Sequence, residues 1–552
     1  MKTFYLTTPL YYVNAAPHIG HSYTEIAADC LARYYRLKGE DVFFLTGADE
    51  HGQKIEQAAS AAGLQPQAFV DGVVERFTSL WTLLGISYDD FIRTTQPRHV
   101  QVVQACLTRL RDEQKLHHAT YQGWYCTPCE TFWTKEELAA DSGATPPSSA
   151  LNASERRPLR SFSEAGPLCP NCQRPLEAVQ EEGWYLPLRQ SQEWLKNFLH
   201  THETFIQPKT RYNEIQSLLE QPLPEYLCIT RPKQRVKWGI PVPFSEGHVT
   251  YVWFDALLNY ISAVGYGADA DRFAARWPAD VHFIGKDILR HHAVYWPIVL
   301  HALGFADEQM PRQIFAHGWW KIGEQKMSKS LGNIVDPAVV VRQFLNDQPY
   351  AADVYRYFLL REVSFGQDGA FSEDAILTRL ESDLANDLGN MIHRTLSMID
   401  RYGQGRIPSL DPTSMDLSEE DEPLRQEALA LGDRVHAAMQ TLSFSDALEA
   451  IFQVVTHANR YIETQAPWQL AKQQDAGQAR LQAVLYLLAE VIRIVAITLE
   501  PFMPTVSSAI WEQLGMGRAP RQLADAAHWP GLLAGQLLGP RVILFPKTDT
   551  RA

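Results

Sequence analysis

The strand pattern of this chain is split, and the split limits the folds open to it. Two apolar runs near the start, Phe4-Tyr5-Leu6-Thr7-Thr8-Pro9 and Val42-Phe43-Phe44-Leu45, read as strands. The first passes through a Pro/Asn/Gly loop into a helical pattern marked by Ile26, Leu31 and Tyr34; the second ends at Gly47 and leads into another helical stretch. Strand, crossover helix and strand again is the rhythm of a parallel sheet, whose ligands bind beyond the carboxyl ends of the strands. From about Leu116 to Ile229 the pattern changes to paired cysteines, the tryptophans Trp124, Trp133 and Trp184, and a Pro/Ser/Ala/Arg-rich stretch from Asp141 to Gly166. This reads as an inserted module with a flexible loop. Sheet-like runs return at Val249-Thr250-Tyr251-Val252-Trp253-Phe254 and Val281-His282-Phe283-Ile284-Gly285, so the α/β unit is expected on both sides of the insertion. After Gly366 strand signals fade, while Leu380, Leu384, Leu388 and Met391, then Leu448, Phe452, Val455 and Ile462, recur at helical spacing. The last third is expected to be an α-helical bundle.

Composition narrows the class. At 552 residues the chain is several times the size of one hydrophobic core, and 45% hydrophobic with 21% charged residues fits a multidomain globular protein. The opening Met1-Lys2-Thr3-Phe4-Tyr5 lacks the apolar run of a signal peptide. The richest apolar stretch, Leu481 to Leu499, is interrupted by Glu490 and Arg493 and reads as a buried helix rather than a membrane span. Seven cysteines, four of them in two CxxC pairs, favour metal over a disulfide framework and point to a reducing, cytoplasmic compartment without membrane attachment. A net charge of −14 excludes a uniformly basic coat for indiscriminate nucleic-acid binding but leaves room for a local basic face.

Two short motifs carry the chemistry. Pro17-His18-Ile19-Gly20-His21 stands where the first loop becomes a helix, with a glycine for close backbone approach and two imidazoles three residues apart. Alone it could be two surface histidines at a helix end. Lys326-Met327-Ser328-Lys329-Ser330, flanked by Gly323 and Gly332, offers two ammonium groups on a loop. In that order the motifs resemble the HIGH and KMSKS signatures of class I aminoacyl-tRNA synthetases. Leu10-Tyr11-Tyr12-Val13-Asn14, Gly47-Ala48-Asp49-Glu50-His51-Gly52, Tyr251-Val252-Trp253-Phe254-Asp255-Ala256 and His291-His292-Ala293-Val294-Tyr295-Trp296 resemble the methionyl branch of that family, and the resemblance covers nearly the whole chain.

The resemblance implies a Rossmann-type α/β catalytic domain of parallel-sheet type, in two halves (1–115 and 231–320), split by a connective insertion with zinc knuckles (116–230) and followed by a KMSKS-loop linker (321–366) and an α-helical anticodon-binding domain (367–552). It implies a ligase that joins methionine to ATP as the adenylate, releasing pyrophosphate, then passes methionine to the terminal ribose of initiator and elongator tRNA(Met). His18 and His21 would contact the phosphates, with Gly20 in the ATP site, and Lys329, helped by Lys326, would close over the pyrophosphate while Mg²⁺ accompanies ATP. Gly285 and Asp287 belong to a nucleotide-binding turn in which Asp287 would accept from ribose hydroxyls. Asp49 would hold the substrate ammonium, and Leu10, Tyr12, Trp253, Ala256, Leu257, Tyr260, His292 and Trp296 would form or support the thioether pocket. Sulfur packs well against ring edges, although buried aromatics are more often plain core. Leu257 stands where some members carry proline.

Cys126-Thr127-Pro128-Cys129 and Cys169-Pro170-Asn171-Cys172 could supply Cys126, Cys129, Cys169 and Cys172 to one structural Zn²⁺. The gap between the pairs is longer than in common zinc ribbons, so an empty site is the alternative. Asn390, Arg394 and Trp468 resemble the anticodon-reading face, where an aromatic stacks on a base and polar groups bond its edge; a solvated polar face and a core anchor are the other reading. The chain stops soon after Val542-Ile543-Leu544-Phe545-Pro546, where many members add a dimerising tRNA-binding domain, so a monomer is expected. Leucyl, isoleucyl and valyl enzymes share both signatures but carry a larger editing insertion. Cysteinyl enzymes, a tRNA-binding protein without catalysis and a nucleotidyltransferase without tRNA are lesser rivals.

Overall fold

The structure is a computed structural model that describes residues 2–127, 130–133, 138, 167–170, 174–322, 325–326, 335–408, 418–473, 475–517 and 521–546. Its strands in chain order are β1 (Thr3–Thr7), β2 (Tyr11–Tyr12), β3 (Asp41–Asp49), β4 (Asp90–Arg93), β5 (His117–Cys126), β6 (Thr131–Trp133), β7 (Glu177–Pro187) and β8 (Ile206–Gln207). They continue with β9 (Tyr226–Cys228), β10 (Thr230–Pro232), β11 (His248–Thr250), β12 (Val281–Gly285), β13 (Ile314–His317), β14 (Trp320–Ile322), β15 (Gln325–Lys326) and β16 (Gly369–Phe371). A seven-stranded parallel sheet runs β3-β1-β12-β13-β8, with β4 on the far side of β3 and β2 pairing the end of β3 beyond β1. The order reverses between β1 and β12, which puts the switch-point crevice at the carboxyl ends of these strands.

Alternation explains why the sheet is covered on both faces. Phe4 and Leu6, with Val42 and Phe44, enter one core beside the helix α1 (Ile19–Leu37), the linker and the bundle. Tyr5, Phe43 and Leu45 point the other way, into a core shared with the helices Pro97–Asp112 and Gln192–Thr201 and with residues Phe254 to Val264. Period-two patterning with both faces apolar is what a buried parallel sheet requires.

Several sequence expectations change here. β3 does not end at Gly47 but runs to Asp49. Glycine is needed there because an added Cβ would lie 2.0 Å from the Ile92 carbonyl oxygen of β4. The run Val249 to Phe254 is not one strand: β11 stops at Thr250 and Val252–Leu257 is helical, since a short apolar run buried on all sides suits either state. Within the stretch read as an insertion, β8 pairs with β13 and the helix Gln192–Thr201 packs in the parallel sheet's own core. Other described residues of that stretch form an antiparallel sheet, β6-β5-β7-β9. Beyond Gly366 one strand remains among the described residues, β16, which pairs with β14 in a sheet completed by β15.

The last third is helical. Its helix Asp475–Leu499 is the one described helix long and apolar enough to cross a membrane, yet it is buried inside the bundle, and its Glu490 and Arg493 pair at 2.6 Å. Arg356, fully buried on the helix Ala351–Glu362, ties the parts together. It pairs with Asp29 of α1 at 2.7 Å and donates to the carbonyls of Pro501 and Phe502 at 3.0 Å each.

Candidate active site

The first corner of the site is the start of α1. His18 is its N-cap, with extended backbone, and its Nδ1 accepts the Gly20 N–H at 3.1 Å. His21 reaches back, its Nδ1 accepting the His18 N–H at 3.1 Å, so the two imidazoles form a capping box and stack with centroids 3.8 Å apart. An Nδ1 that accepts a backbone N–H carries no proton. Each neutral ring therefore holds its hydrogen on Nε2, as a donor suited to a phosphate oxygen. Gly20 is needed small, because a Cβ there would sit 3.0 Å from His18 Cε1.

The second corner is a cleft of about 1580 Å³ beyond the carboxyl ends of β1, β3 and β12. Leu10, Tyr12, Asp49, Trp253, Ala256, Leu257, Tyr260 and His292 all line it. Asp49 closes β3 opposite Tyr12, and its Oδ1 is buried with no hydrogen-bond partner among the described residues. Burial, with Asp255 and Glu130 nearby, lifts its carboxyl well above the usual range. Trp253 stacks on His291 at 3.6 Å. His292 lies in a π-turn, His291–Tyr295, a distortion common at functional sites. Burial lowers its imidazole to about 4, so it is neutral at physiological pH. Its Nδ1–H donates to the Ile288 carbonyl at 3.0 Å, leaving Nε2 to accept from the Tyr260 hydroxyl at 2.8 Å. Trp296, the ninth expected pocket residue, is fully buried and does not line the cleft; its ring lies 5.8 Å from that of Tyr260, which it backs.

The third corner is the end of β12. Asp287 Oδ1 accepts the Trp319 indole N–H at 3.0 Å, and it folds so close to Gly285 that a Cβ there would be 2.6 Å away. Next to it Lys286 and Lys321 pair with Asp368 at 2.6 and 2.7 Å, which bridges the turn to the β14–β16 sheet. Burial opposes the charge on Asp368, but the two lysines outweigh it and hold the carboxyl well below the usual range. In the signature loop, β15 sets Lys326 opposite Lys321, while Lys329 and the flanking Gly323 and Gly332 lie outside the described residues.

Of the two cysteine pairs, Cys126 ends β5, and Cys169 enters the same small buried cluster with Trp133 and Leu176. Cys129, Cys172 and the stretch Asp141 to Gly166 lie outside the described residues, and no group of three metal-ligating side chains occurs among those that are described. In the bundle, Asn390 opens the helix Asn390–Gly403, and Arg394 lies one turn along it. Arg394 pairs with Glu463 at 2.6 Å, and its guanidinium is 5.5 Å from the ring centre of half-buried Trp468.

Sequence reasoning missed a buried layer under the pocket. Asp255 joins His51 Nδ1 and His99 Nε2, each at 2.7 Å, and His99 Nδ1 meets Ser262 Oγ at 2.8 Å. Burial opposes the charge on Asp255, yet the two imidazoles more than compensate and its carboxyl titrates below the ordinary value. Asp255 and His51 stand in motifs already singled out, but 204 residues separate them and nothing local pairs them.

Comparison with known proteins agrees with this geometry. A family model described as tRNA synthetases class I (M) matches residues 4–396, and one described as the anticodon-binding domain of tRNA ligase matches 424–535. The methionine–tRNA ligase of Caldanaerobacter subterraneus is 44% identical, over 99% of this chain and 79% of that protein. That of Clostridium acetobutylicum is 41% identical, over 99% and 78%. Among solved structures, Mycobacterium tuberculosis methionyl-tRNA synthetase in complex with methionyl-adenylate superposes with a TM-score of 0.89 at 38% identity, covering 99% of this chain and 100% of the other. A catalytic match over most of the chain, a second match over 424–535 and relatives above 40% identity across 99% of this chain place it in the methionyl branch of the class I aminoacyl-tRNA synthetases.

Proposed function

We infer that the three corners work as one adenylating centre. The reaction is the ligation of methionine to tRNA in two steps: the methionine carboxylate attacks the α-phosphorus of ATP and pyrophosphate leaves, then a terminal ribose hydroxyl of tRNA attacks the activated carbonyl and AMP leaves. No protein nucleophile is needed, so the site's work is holding charge and orientation. Asp49 takes the methionine ammonium, and the observation that carries this is its buried Oδ1, without a hydrogen-bond partner among the described residues, in an aromatic-lined cleft. Tyr12, Trp253 and Tyr260 surround the thioether, with Leu10, Ala256, Leu257 and His292 filling between them and Trp296 behind. His18 and His21 donate from Nε2 to phosphate oxygens, Lys326 and Lys329 meet the pyrophosphate, and Asp287 exchanges the Trp319 indole for ribose hydroxyls. Mg²⁺ neutralises the ATP phosphates as it does for such transfers generally.

The finer properties follow in the same voice. Cys126 and Cys169 converge in one buried cluster, which suits a four-thiolate set with Cys129 and Cys172. Such a set would hold one structural Zn²⁺ and take no part in the reaction. Asn390, Arg394 and Trp468 read the anticodon of initiator and elongator tRNA(Met). We propose further that the chain acts as a monomer in the cytoplasm. The test is exchange of pyrophosphate into ATP, without tRNA, against all standard amino acids. Exchange driven by methionine alone is expected; exchange driven by another amino acid overturns the pocket assignment.

A further inference from the structure

Glu130 leaves the knuckle-bearing sheet and reaches into the catalytic domain. It sits between β5 and β6 with a left-handed backbone, φ 49°, and is 5% exposed. Its carbonyl accepts the Tyr251 hydroxyl, which fastens the turn to the residue just before the helix that carries Trp253 and Ala256. Its carboxylate Oε1 accepts the Lys54 N–H at 3.1 Å across 76 residues of sequence. Lys54 is the second residue of the helix α2 (Gln53–Ala61), whose N-cap is Gly52 and which has no side-chain cap of its own. A helix start leaves N–H groups unpaired, and a carboxylate there satisfies one of them and complements the helix dipole. The fit is close. A Cβ on Gly52, at φ 110°, would lie 2.6 Å from the Tyr12 hydroxyl and 2.8 Å from Glu130 Oε2. The capped turn, Glu50 to Gly52, directly follows Asp49, and Glu130, Asp49, Tyr12 and Lys54 line one cleft.

We propose that Glu130 is a positioning residue for amino-acid binding: by capping α2 it fixes the turn that aims Asp49 at the substrate ammonium, so the insertion sets how well methionine binds. Resting on the adenylating role of the cleft, this goes beyond it by making the pocket depend on a residue of another sheet. The cap needs Glu130 as a hydrogen-bond acceptor at one distance, which separates it from the field the same carboxylate exerts on Asp49.

Three variants of the full chain test this by methionine-dependent pyrophosphate exchange. Glu130→Ala removes the acceptor, and Glu130→Asp withdraws it by one methylene. Both should raise KM for methionine about five- to tenfold, the cost of a lost cap, with kcat and KM for ATP within about twofold. Glu130→Gln keeps an acceptor oxygen at the same reach and should restore the parental KM. The Asp variant carries the test if the Ala variant does not fold. Unchanged methionine KM in a folded Ala or Asp variant overturns the proposal, as does an equal rise in both KM values. A Gln variant as impaired as Ala overturns it too, because the charge rather than the cap would then matter. Failure of the parent chain to exchange with methionine would instead defeat the adenylating reading.

Discussion

Asp49 is held against the chemistry of its surroundings, and that tension is where its function can be measured. Its carboxyl is buried, near Asp255 and Glu130, and these influences push its titration well above the usual carboxylate range. An ammonium group relieves all three influences at once. The ionised form is the one that binds, so as pH falls through the raised value the carboxyl takes a proton and methionine is held less well. KM for methionine should therefore climb as pH falls, and begin to do so at a higher pH than an unperturbed carboxylate would give, while KM for ATP follows a different profile. Asp49→Asn removes the charge and the dependence together. Losing one partner of a buried charge pair costs about 3–5 kcal/mol, which here means a rise in methionine KM of about 100-fold or more. His292 behaves oppositely: burial lowers it to about 4, so above that pH it stays neutral and contributes no slope.

Among the elements, α1 shows how a helix end becomes a reagent. Its capping box uses two imidazoles in place of the usual hydroxyl and carboxamide, and this fixes both tautomers through backbone contacts alone. Gly20→Ala would press a Cβ against His18 at 3.0 Å and tilt the stacked pair. A shift of a few tenths of an ångström in a reacting site is smaller than the 1 Å that costs about 100-fold, so kcat for exchange should fall by about three- to tenfold while KM for methionine holds. The motif at α1 was legible in the sequence because its residues are neighbours. So were β1, β3 and β12, whose apolar alternation declares two covered faces. What stayed hidden has a common cause. Gly47 reads as a stop until β4 is seen pressing on it, Val252 to Leu257 reads as strand because full burial erases periodicity, and β8 is too short to announce itself. The cap that Glu130 gives α2 and the His51–Asp255–His99 layer join residues far apart in sequence, which no local pattern encodes.

At the scale of the whole molecule, the adenylating cleft and the Arg394–Trp468 face are separate devices on one frame, with Arg356 buried where α1, its own helix and the bundle meet. Separation predicts a clean division of phenotypes. Arg394→Ala should lower kcat/KM for aminoacylation of tRNA about ten- to 100-fold, the cost of a lost base-edge contact, and leave pyrophosphate exchange at the parental rate. A fall in both would mean that the face also shapes the cleft. The frame has a temporal side as well. β1 lies at the centre of the sheet, yet its partner β12 arrives 275 residues later, with Tyr5 N–H waiting for the Asp280 carboxylate. At a translation rate of about 5–20 residues per second, that gap takes roughly 14–55 s. Throughout it the strand has β3 on one flank and an open row of peptide groups on the other, the kind of edge that invites pairing with a neighbouring nascent chain. How fast the ribosome crosses the insertion thus sets how long the future floor of the site stands unguarded.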